Sequence, residues 1–561
     1  MSRKIVVIGG VATGPKAASR ARRRDGDAEI TVIERGGLFS YAGCGMPFYI
    51  EGLIGDIREL FCTPVGVIRD ERYFKAVKGI DMLGNTEALS INRGDKRVTV
   101  KGLKRGRVYD IPYDKLVLAV GARPVVSRME GVDLDGVYLL SNPADAEAIR
   151  RELDAGAKSV AIIGGGLIGM ETCGAFVSRG CRVTVFEMLD QLLPALLDRD
   201  MALLLENHLR GQGVDIRTSS RVKGLLDGGD GRVSGVSTAD GGRFDADMVI
   251  IAIGVRPNVA LAREAGLEIG ETGAIAVNEY LQTSDPDIYA GGDCVENTCL
   301  ITNRRVYTPL GSTANRHGRV IGDNVTGGST TFPGVTRSTV FKVLDYNVGK
   351  TGLSEREART AGYETVTSVA PREDRPHYYP TKQPFTIKLV ADGRTGRLLG
   401  GQAIGQGEVV KRIDILATAL RFGASVKDIA DLDLGYAPPY STAIDAVAHA
   451  ANIIRNKMEG LARGIPAVDL KGKLDRGEDL ILLDVRTGEE TVEQAFRDPR
   501  AKWIPLGELR QRLKELPRDR EIVVYCRTSV RAYEAQRILS SAGFRDVKFL
   551  EGSLAAWPYP L

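Results

Sequence analysis

Short apolar runs that end in glycine-rich turns recur along the chain. In KIVVIGGVATGPKAASRARR (4–23) the run predicts a buried strand, a glycine turn and a helix, and EITVIER (29–35) predicts a second strand. The same order returns in SVAIIGGGLIGMETCGAFVSRGCRVTVFEM (159–188). Continuous apolar strands of this kind are typical of parallel sheets that are covered on both faces. The pattern therefore predicts an α/β fold with two nested Rossmann-like units.

Each unit carries glycines at the start of its helix and an acidic residue at the end of its second strand. Glycine lets the backbone approach a pyrophosphate at the helix N-terminus, and the acid accepts hydrogen bonds from ribose hydroxyls. The acids are Glu34 and Glu187, and Val11 occupies the middle glycine position of the first unit. The sequence predicts two dinucleotide sites. The Glu187 carboxylate would repel a 2′-phosphate, which favours NADH over NADPH.

Two further apolar strands indicate how the units interleave. YDKLVLAVGARPV (113–125) precedes the second unit and ADMVIIAIGVRPN (246–258) follows it, and each contains Gly-x-Arg-Pro, as expected where the chain crosses between two nucleotide domains. TSDPDIYAGGDC (283–294) then places Asp293 at a tight turn before a helix in TPLGSTANRHGRVIGDNV (308–325). The second unit is thus predicted to be inserted into the first.

Residues 1–450 resemble the pyridine nucleotide–disulfide oxidoreductases in these segments and in their order. The resemblance implies FAD in the first unit and NAD(P)H in the inserted one, and Glu187 favours NADH of the two. The resemblance places Asp293 at the FAD ribityl chain and Glu34 at the adenosine ribose, and points the positive end of the helix from Gly311 at the flavin pyrimidine. The residues expected to bind the cofactors are Gly9, Gly10, Ala12, Gly14, Glu34, Arg35, Ala119, Gly121, Gly164, Gly166, Gly169, Glu171, Glu187, Gly254, Asp293, Gly311 and Thr313.

A single cysteine follows the first unit, in GLFSYAGCGMPFY (37–49). The next one, Cys62, is too far along the chain for the C-x4-C pair of two-cysteine reductases, and we expect it to be a buried small residue. Nearby amides and a helix terminus would stabilise a thiolate at Cys44, so its pKa is expected to be lowered. The segment resembles the single-cysteine branch, which comprises coenzyme A disulfide reductases, NADH oxidases and peroxidases, and coenzyme A persulfide or polysulfide reductases. In that branch the cysteine pairs with an external sulfur or with oxygen.

Coenzyme A is the external thiol that the other segments favour. Lys16, Arg20 and Arg23 share one helical face, which could be a solvated basic face, but matching positions in the coenzyme A branch contact the nucleotide phosphates. Gly43 stands where an asparagine is typical of the family. The residues expected to contact coenzyme A are Lys16, Arg20, Arg23, Ser40, Gly43, Lys78, Asn315 and Arg316.

Tyrosines in HYYP (377–380) and LGYAPPY (434–440) resemble those of the dimerisation domain that reach across a homodimer to the reactive sulfur. Tyr378 or Tyr379, together with Tyr436, could donate hydrogen bonds to a leaving sulfur anion. Tyrosine beside proline is also common in simple packing, so both interpretations stay open.

A separate small α/β unit follows at the C-terminal end, with the segments DLILLDVRTGEE (479–490), WIPLGEL (503–509) and REIVVYCRTSVRAYEAQRIL (520–539). The strand before Cys526 leads into a loop that closes backbone amides around the sulfur, and Arg531 and the helix dipole both favour an anion there. Residues 465–561 resemble the rhodanese fold, which implies a sulfur carried on Cys526. The linker EGLARGIPAVD (459–469) is short, so we expect docking beside the partner subunit.

The expected domains follow from these assignments. They are an FAD-binding domain (1–112 and 246–325), an NADH-binding domain (113–245), an α+β dimerisation domain (326–455) and a C-terminal rhodanese α/β domain (465–561).

Composition adds few constraints. The 561 residues contain 76 Lys and Arg against 72 Asp and Glu, a net charge of +4, which argues for neither nucleic acid nor a membrane surface as partner. The apolar runs are strand-sized, and the N-terminus enters a strand at once, so no signal peptide is expected. Seven cysteines and four histidines show no disulfide framework and no metal set. A reducing cytoplasm is the expected location.

The leading hypothesis is an NADH-dependent, FAD-containing reductase of coenzyme A persulfide or polysulfide. It would release hydrosulfide through a mixed disulfide on Cys44, with a second sulfur carried on Cys526, in a homodimer. A first alternative is coenzyme A disulfide reduction at the same site. Further alternatives are an NADH oxidase or peroxidase, in which Cys44 cycles through a sulfenic acid, and a protein that is mainly a sulfurtransferase.

Overall fold

The computed structural model describes residues 2–561, which form two compact units. The first unit comprises the chain up to Met188 together with Ser220–Val335, and the second comprises Leu189–Ser219 and Thr336–Leu561. Two parallel sheets lie in the first unit, and an antiparallel and a parallel sheet lie in the second. The predicted fold class is confirmed.

The first parallel sheet is built on the first glycine-turn unit. Its apolar strand Lys4–Ile8 is central and, apart from Lys4, buried, as expected for a strand covered on both faces. The helix Thr13–Arg24 packs against the helix Gly311–Asn324, where glycines make room: a Cβ at Gly322 would lie 2.5 Å from the Cβ of Arg20. In spatial order the strands are Ile288–Ala290, Lys115–Leu118, Lys4–Ile8, Glu29–Ile33 and Asp81–Leu83.

The second parallel sheet repeats the plan. The strand Ser159–Ile163 is entirely buried and pairs with strands on both sides. The helices of this region are Pro143–Asp154 and Leu167–Ser178. In spatial order four strands are Arg182–Phe186, Ser159–Ile163, Met248–Ile251 and Val137–Tyr138.

The chain crosses between these sheets later than the domain boundaries at 113 and 246 implied. Lys115–Leu118 pairs with the central strand of the first sheet, and Met248–Ile251 pairs with that of the second. The crossing itself is made by Ala122–Pro124 and Val255–Pro257, which pair antiparallel. The correction has a simple cause, because each Gly-x-Arg-Pro segment comes after its apolar strand and the strand still belongs to the sheet that the chain is leaving.

Short elements complete the first unit. The helices and helical turns are Gly43–Gly45, Met46–Glu51, Ile57–Phe61, Glu71–Tyr73, Phe74–Lys78 and Ala260–Glu264. The strands of its small antiparallel sheets are Thr86–Asn92, Arg97–Gly102, Val108–Pro112, Val222–Asp227, Val233–Thr238, Arg243–Asp245, Glu296–Thr298 and Arg305–Tyr307.

An antiparallel sheet forms the first part of the second unit. Its core contains a buried ion pair between Arg412 and Asp445 at 2.7 Å, which compensates two charges that would otherwise be costly to bury. In spatial order the strands are Thr339–Val343, Tyr346–Gly352, Leu398–Gly405, Pro384–Asp392 and Thr365–Glu373. The accompanying elements are Arg199–Gly211, Asp215–Arg217, Glu355–Thr360, Val409–Arg421, Val426–Ala430 and Ala446–Met458.

The C-terminal sheet is parallel throughout, and the predicted linker enters it directly as an edge strand. In spatial order the strands are Gly464–Ile465, Val547–Leu550, Glu521–Tyr525, Leu480–Asp484 and Ala501–Trp503. The helices and turns are Ala467–Asp475, Gly488–Glu493, Leu513–Glu515, Val530–Ser541 and Ser553–Ala556. Lys457 Nζ donates to Thr367 O at 2.6 Å and forms an ion pair with Glu551, so this domain docks on the antiparallel sheet of its own chain.

Residues 2–561 contain no helix with the length and apolar character that a membrane crossing requires. The same residues contain no cluster of three or more His, Cys, Asp or Glu side chains arranged to hold a metal ion.

The helix pair of the first sheet makes a stability prediction. Gly322→Ala places a Cβ 2.7 Å from Ala17 O, and such overpacking costs about 1–3 kcal/mol. We expect a lower apparent Tm for the FAD-loaded protein at a fixed scan rate. Gly211→Ala is the matched control, because no atom lies within 4 Å of its added Cβ. Equal Tm values for the two variants would contradict the close packing.

Candidate active site

The first glycine turn has no space for side chains. Gly9 has φ of +112°, and a Cβ there would lie 2.1 Å from Ala119 O, while a Cβ at Gly14 would lie 1.8 Å from Gly9 O. Gly10 N donates to Glu34 Oε2 at 2.7 Å. The turn therefore requires glycine at these positions, and it holds the carboxylate of Glu34 at the end of the second strand.

The second turn has the same construction. Gly164 has φ of +110°, and its Cβ would lie 2.4 Å from Ala252 O, while a Cβ at Gly169 would lie 2.1 Å from Gly164 O. Gly165 N donates to Glu187 Oε2 at 2.8 Å. The two units share one geometry, although the middle position of the first is not glycine.

Other glycines of the predicted set face open space. A Cβ on Gly121, Gly166 or Gly254 would meet no atom of the chain within 4 Å. Gly121 and Gly254 also have positive φ values, of +63° and +109°. A dinucleotide that follows the backbone at these turns would use this space.

Asp293 fits the position that FAD requires for its ribityl chain. Burial raises the pKa of the Asp293 carboxyl to about 6, and its Oδ1 is buried without a hydrogen-bond partner among the described residues. An orphaned buried acceptor is costly, and a hydroxyl donor would satisfy it. Gly292 beside it has φ of +82°, and a Cβ there would lie 2.5 Å from Thr13 Oγ1. The residues present therefore fit FAD.

Cys44 lies on the helical turn Gly43–Gly45, immediately before the helix Met46–Glu51. A Cβ built on Gly311 would lie 4.0 Å from its Sγ, so the sulfur lies beside the N-terminal residue of the 14-residue helix Gly311–Asn324. The side chain of Cys44 is exposed to solvent, and all seven cysteines are free thiols. The structure thus brings the Cys44 thiol to the helix that the resemblance aims at the flavin.

The predicted lowering of the Cys44 pKa is wrong for the chain itself. Partial burial raises the pKa of the thiol, and the carboxylates of Glu171 and Asp293 raise it further. A backbone hydrogen bond within the turn acts in the opposite direction but does not prevail. Glu171 is also perturbed, because burial raises its pKa to about 7. The expectation counted the local amides and missed two carboxylates from distant parts of the chain.

The predicted coenzyme A residues are only partly free to bind phosphates. Arg20 Nε lies 2.6 Å from Asp323 Oδ1, so an internal carboxylate already compensates its charge. Lys16 and Arg23 on the same helix are exposed. Lys78 lies in the turn beside this helix, because Arg22 donates to Gly79 O at 2.7 Å.

The remaining predicted residues of the first unit have structural contacts. Ser40, with φ of +50°, donates from its backbone N to Gly10 O at 2.8 Å and so ties the cysteine segment to the first glycine turn. Asn315 donates to Gly311 O at 2.9 Å, and the Arg316 guanidinium lies 4.8 Å from the Phe332 ring centroid. Ala12 precedes the first helix, Thr313 is buried, and Arg35 pairs with Glu87 at 3.3 Å.

The second unit distinguishes between the two neighbouring tyrosines. A hydrogen bond with Tyr436 raises the pKa of Tyr378, so these hydroxyls form a pair, and both side chains are exposed. Tyr379 donates its backbone N to Pro376 O at 2.8 Å within the same turn. Tyr378 with Tyr436 is therefore the pair that the local fold brings together.

Cys526 ends the strand Glu521–Tyr525 and begins the loop that leads to the helix Val530–Ser541. Ser529 adopts φ of +75°, which curls the loop around the sulfur. Cys526 is 1% exposed, its backbone N donates to Ser553 Oγ at 3.2 Å, and its Sγ lies 3.8 Å from the same oxygen.

Arg531 lies beside this sulfur, as predicted, but it is also held by a carboxylate that the sequence analysis missed. Its two terminal nitrogens donate to Glu490 Oε2 and Oε1, both at 2.7 Å, and Arg531 also hydrogen-bonds Cys526. Arg531 lowers the pKa of Glu490 to about 2. The available signal was the Thr487-x-x-Glu490 capping box, which fixes Glu490 at the first turn of the helix Gly488–Glu493.

Comparisons with protein families agree with this architecture. Residues 3–318 match the family described as pyridine nucleotide-disulphide oxidoreductase, residues 338–448 its dimerisation domain, and residues 466–558 the rhodanese-like domain. A protein of Pyrococcus abyssi named NAD(P)H sulfur oxidoreductase (CoA-dependent) is 40% identical over 456 residues, which is 81% of this chain and 99% of that protein.

Solved structures extend the similarity to the whole chain. A NAD-dependent persulfide reductase from A. fulgidus is 46% identical with a TM-score of 0.94, and the match covers 99% of this chain and 100% of that one. Reduced CoADR-RHD from Bacillus anthracis is 34% identical with a TM-score of 0.92, covering 99% and 98%. The chain therefore belongs to the pyridine nucleotide-disulphide oxidoreductase family and carries a rhodanese-like domain at its C-terminal end.

Proposed function

We propose that the protein uses NADH to reduce the sulfane sulfur of coenzyme A persulfide, and of polysulfide, to hydrosulfide. The observation that carries the proposal is the combination of one unpaired cysteine, Cys44, at the flavin-side helix with a second, Cys526, in a rhodanese-type loop of the same chain. A cysteine without an internal partner needs an external sulfur, and a sulfur-carrying loop indicates which kind of sulfur that is. Similarity to persulfide and sulfur reductases supports the same substrate class.

The reaction balances without another reagent. The Cys44 thiolate attacks the coenzyme A sulfur of the persulfide, the sulfur–sulfur bond breaks, and hydrosulfide leaves with the bonding pair. A mixed disulfide between Cys44 and coenzyme A remains. FAD, when bound, supplies the transfer of two electrons from NADH to this disulfide, which restores the Cys44 thiolate and coenzyme A. Overall, persulfide, NADH and one proton give coenzyme A, hydrogen sulfide and NAD⁺.

In this scheme the residues of the chain bind the two cofactors and control the charge of the Cys44 sulfur. Asp293 would accept a hydrogen bond from the FAD ribityl chain, and Glu34 and Glu187 would hold the adenosine ribose hydroxyls of FAD and NADH. The N-terminus of the helix at Gly311 favours negative charge beside the Cys44 sulfur. Because burial raises the Glu171 pKa to about 7, this carboxyl can be neutral at physiological pH, which lessens its opposition to the thiolate.

We further propose a homodimer in which the dimerisation domain of one subunit serves the Cys44 site of the other. The exposed hydroxyl pair of Tyr378 and Tyr436 would then donate to the departing hydrosulfide, consistent with the position of such tyrosines in the family resemblance. Cys526 would hold sulfane sulfur and exchange it with coenzyme A. Since Cys526 is almost fully buried, the narrow pantetheine end of coenzyme A suits it better than a bulky donor.

An anaerobic competition between coenzyme A persulfide and coenzyme A disulfide tests the substrate. We expect a higher kcat/KM for the persulfide and one hydrosulfide released per NADH consumed. Oxygen is excluded because several relatives are named NADH oxidase. Preference for the disulfide would make the protein a thiol-redox reductase instead, and NADH consumption that requires oxygen would favour an oxidase.

Cys44→Ser tests the reactive thiol. Removing a nucleophile costs ~10³-fold or more in kcat, so NADH-linked hydrosulfide release should fall to background. Thiosulfate:cyanide sulfur transfer should persist, because it depends on Cys526. Cys62→Ser is the matched control, since this half-buried thiol donates a hydrogen bond to Arg58 O at 3.0 Å and has no role in the proposed reaction. Undiminished hydrosulfide release in Cys44→Ser would rule out the mechanism.

Glu171→Gln tests the charge beside that thiol. As the pH rises above about 7, Glu171 ionises, and its negative charge disfavours the Cys44 thiolate. Replacing it with a neutral amide lowers the thiol pKa, so alkylation of the reduced FAD-loaded protein by iodoacetamide at pH 8 should accelerate several-fold. Glu147→Gln, which removes an exposed carboxylate from the same region, should leave the rate unchanged. An unchanged rate in Glu171→Gln would show that its charge does not reach the sulfur.

A further inference from the structure

Arg372, in the strand Thr365–Glu373 of the antiparallel sheet, acts electrostatically on the sulfur of Cys526. Burial lowers the pKa of the Arg372 guanidinium, and the charge of Cys526 opposes this effect. Among residues 2–561 the guanidinium forms no ion pair with a carboxylate, and its Nη1 donates to Pro371 O at 3.0 Å. Its positive charge is therefore not compensated by an acid of the chain.

The packing of the two domains explains this proximity. A Cβ on Gly552 would lie 3.2 Å from Val369 Cγ1 and 3.5 Å from Pro371 Cγ, so the strand that carries Arg372 lies against the turn at Gly552. The next residue, Ser553, accepts the hydrogen bond from Cys526 N. The strand therefore contacts the turn at Gly552, and the turn contacts the sulfur loop through Ser553.

A hydrogen bond and an ion pair of Lys457 stabilise this contact. Lys457 Nζ donates to Thr367 O on the same strand and forms an ion pair with Glu551, the residue before Gly552. Lys457 and Glu551 are both buried at their charged ends, where an ion pair is screened little by solvent. The position of Arg372 relative to the sulfur loop is therefore fixed by packing and by charge.

Three arginines lie near the sulfur: Arg527, the exposed next residue of the loop, and Arg531 and Arg372, on both of which the charge of Cys526 acts. Arg531 hydrogen-bonds Cys526, but Glu490 neutralises it through a bidentate pair. His449, whose pKa falls to about 4 through burial and the charge of Arg372, is neutral at physiological pH.

Two acidic groups complete the surroundings. Asp445 is paired with Arg412 at 2.7 Å, and Glu551 is paired with Lys457. Each carboxylate therefore has a cationic partner of its own, and neither forms an ion pair with Arg372.

We propose that Arg372 completes the sulfur site of the rhodanese-like domain, and that this composite site binds sulfane sulfur as an anion on Cys526, from anionic donors of the thiosulfate and persulfide class. The inference rests on the proposed role of Cys526 as a sulfur carrier. The antiparallel sheet would then contribute a charged side chain to the sulfur site, in addition to being the surface on which the rhodanese-like domain docks.

Thiosulfate provides a defined probe reaction. The Cys526 thiolate attacks the outer sulfur of thiosulfate, the sulfur–sulfur bond breaks, and sulfite leaves with the bonding pair, so that a persulfide anion remains on Cys526. Cyanide then takes the terminal sulfur as thiocyanate and restores the thiolate. Each step conserves charge, and each keeps an anion on Cys526 for Arg372 to stabilise.

The test measures thiosulfate:cyanide transfer and the sulfur gained by the Cys526 peptide across a pH series, in the full-length FAD-loaded protein. Arg372→Gln should lower kcat/KM for thiosulfate about 10-fold, with the largest loss at low pH, because one opposite charge beside the sulfur is missing. Arg372→Lys should recover most of the activity. Arg394→Gln is the matched control, since it removes an exposed arginine from a turn of the same sheet.

Two further comparisons make each outcome decisive. Arg372→Met keeps the apolar stem without the charge, so it substitutes for the glutamine variant if that variant fails to fold. Profiles of Arg372→Gln or Arg372→Met that superpose on those of Arg394→Gln would overturn the proposal. NADH-linked reduction of coenzyme A disulfide should be unchanged in every variant, because it proceeds at Cys44 and involves neither Cys526 nor Arg372. If hydrosulfide release from coenzyme A persulfide fails while the Arg372 effect persists, the proposed function is wrong and the composite site stands.

Discussion

Steric exclusion at the two glycine turns is the constraint on which the nucleotide sites depend. A Cβ at Gly9 or Gly164 would overlap the carbonyl oxygen of a neighbouring strand, at 2.1 and 2.4 Å, so strand, turn and crossing strand meet at backbone contact distance. This contact brings the helix N-terminus to the carboxyl edge of its sheet, where an anion is favoured. The carboxylate that ends the next strand then bonds a turn amide in both units. Both nucleotide sites are therefore formed by the same local contacts of a glycine turn.

The surroundings of Cys44 oppose ionisation of its thiol. Cys44 stands between a helix N-terminus, which favours a thiolate, and the carboxylates of Glu171 and Asp293, which disfavour it. Both acids have raised pKa values, near 7 and 6, because they are buried. Protonation of either acid removes part of the opposition, so the charge of the thiol is coupled to protons held on two neighbouring carboxyls. Such coupling suits the proposed reaction, which takes up one proton in each cycle.

Local patterns made the fold and the two cysteine loops predictable, whereas contacts between distant segments did not follow from the sequence. The glycine turns, the Gly-Gly-Asp turn and the Cys526 loop are each set within a few residues, and strand, turn and helix form as the apolar runs indicate. The raised pKa of Cys44 comes first from burial and then from the charges of Glu171 and Asp293, which are far away in the chain. The pairing of Arg531 with Glu490 and the approach of Arg372 to Cys526 are likewise long-range. The balance of charges at a site depends on how distant segments pack together, and the pattern of apolar residues along the chain does not show this.

The two sulfur sites have opposite electrostatic surroundings, and this contrast bears on the direction of sulfur flow. Cys526 interacts with Arg372 and with Arg531, whose charge Glu490 offsets, whereas Cys44 interacts with Glu171 and Asp293. A persulfide carries its negative charge on the terminal sulfur and is favoured beside cations, so in the proposed function sulfane sulfur resides on Cys526. A mixed disulfide with coenzyme A has no charge at either bonded sulfur, so carboxylates tolerate it. In the proposed function, sulfur is therefore stored as an anion on Cys526 and released through a neutral disulfide on Cys44, and coenzyme A is the proposed carrier between the two cysteines.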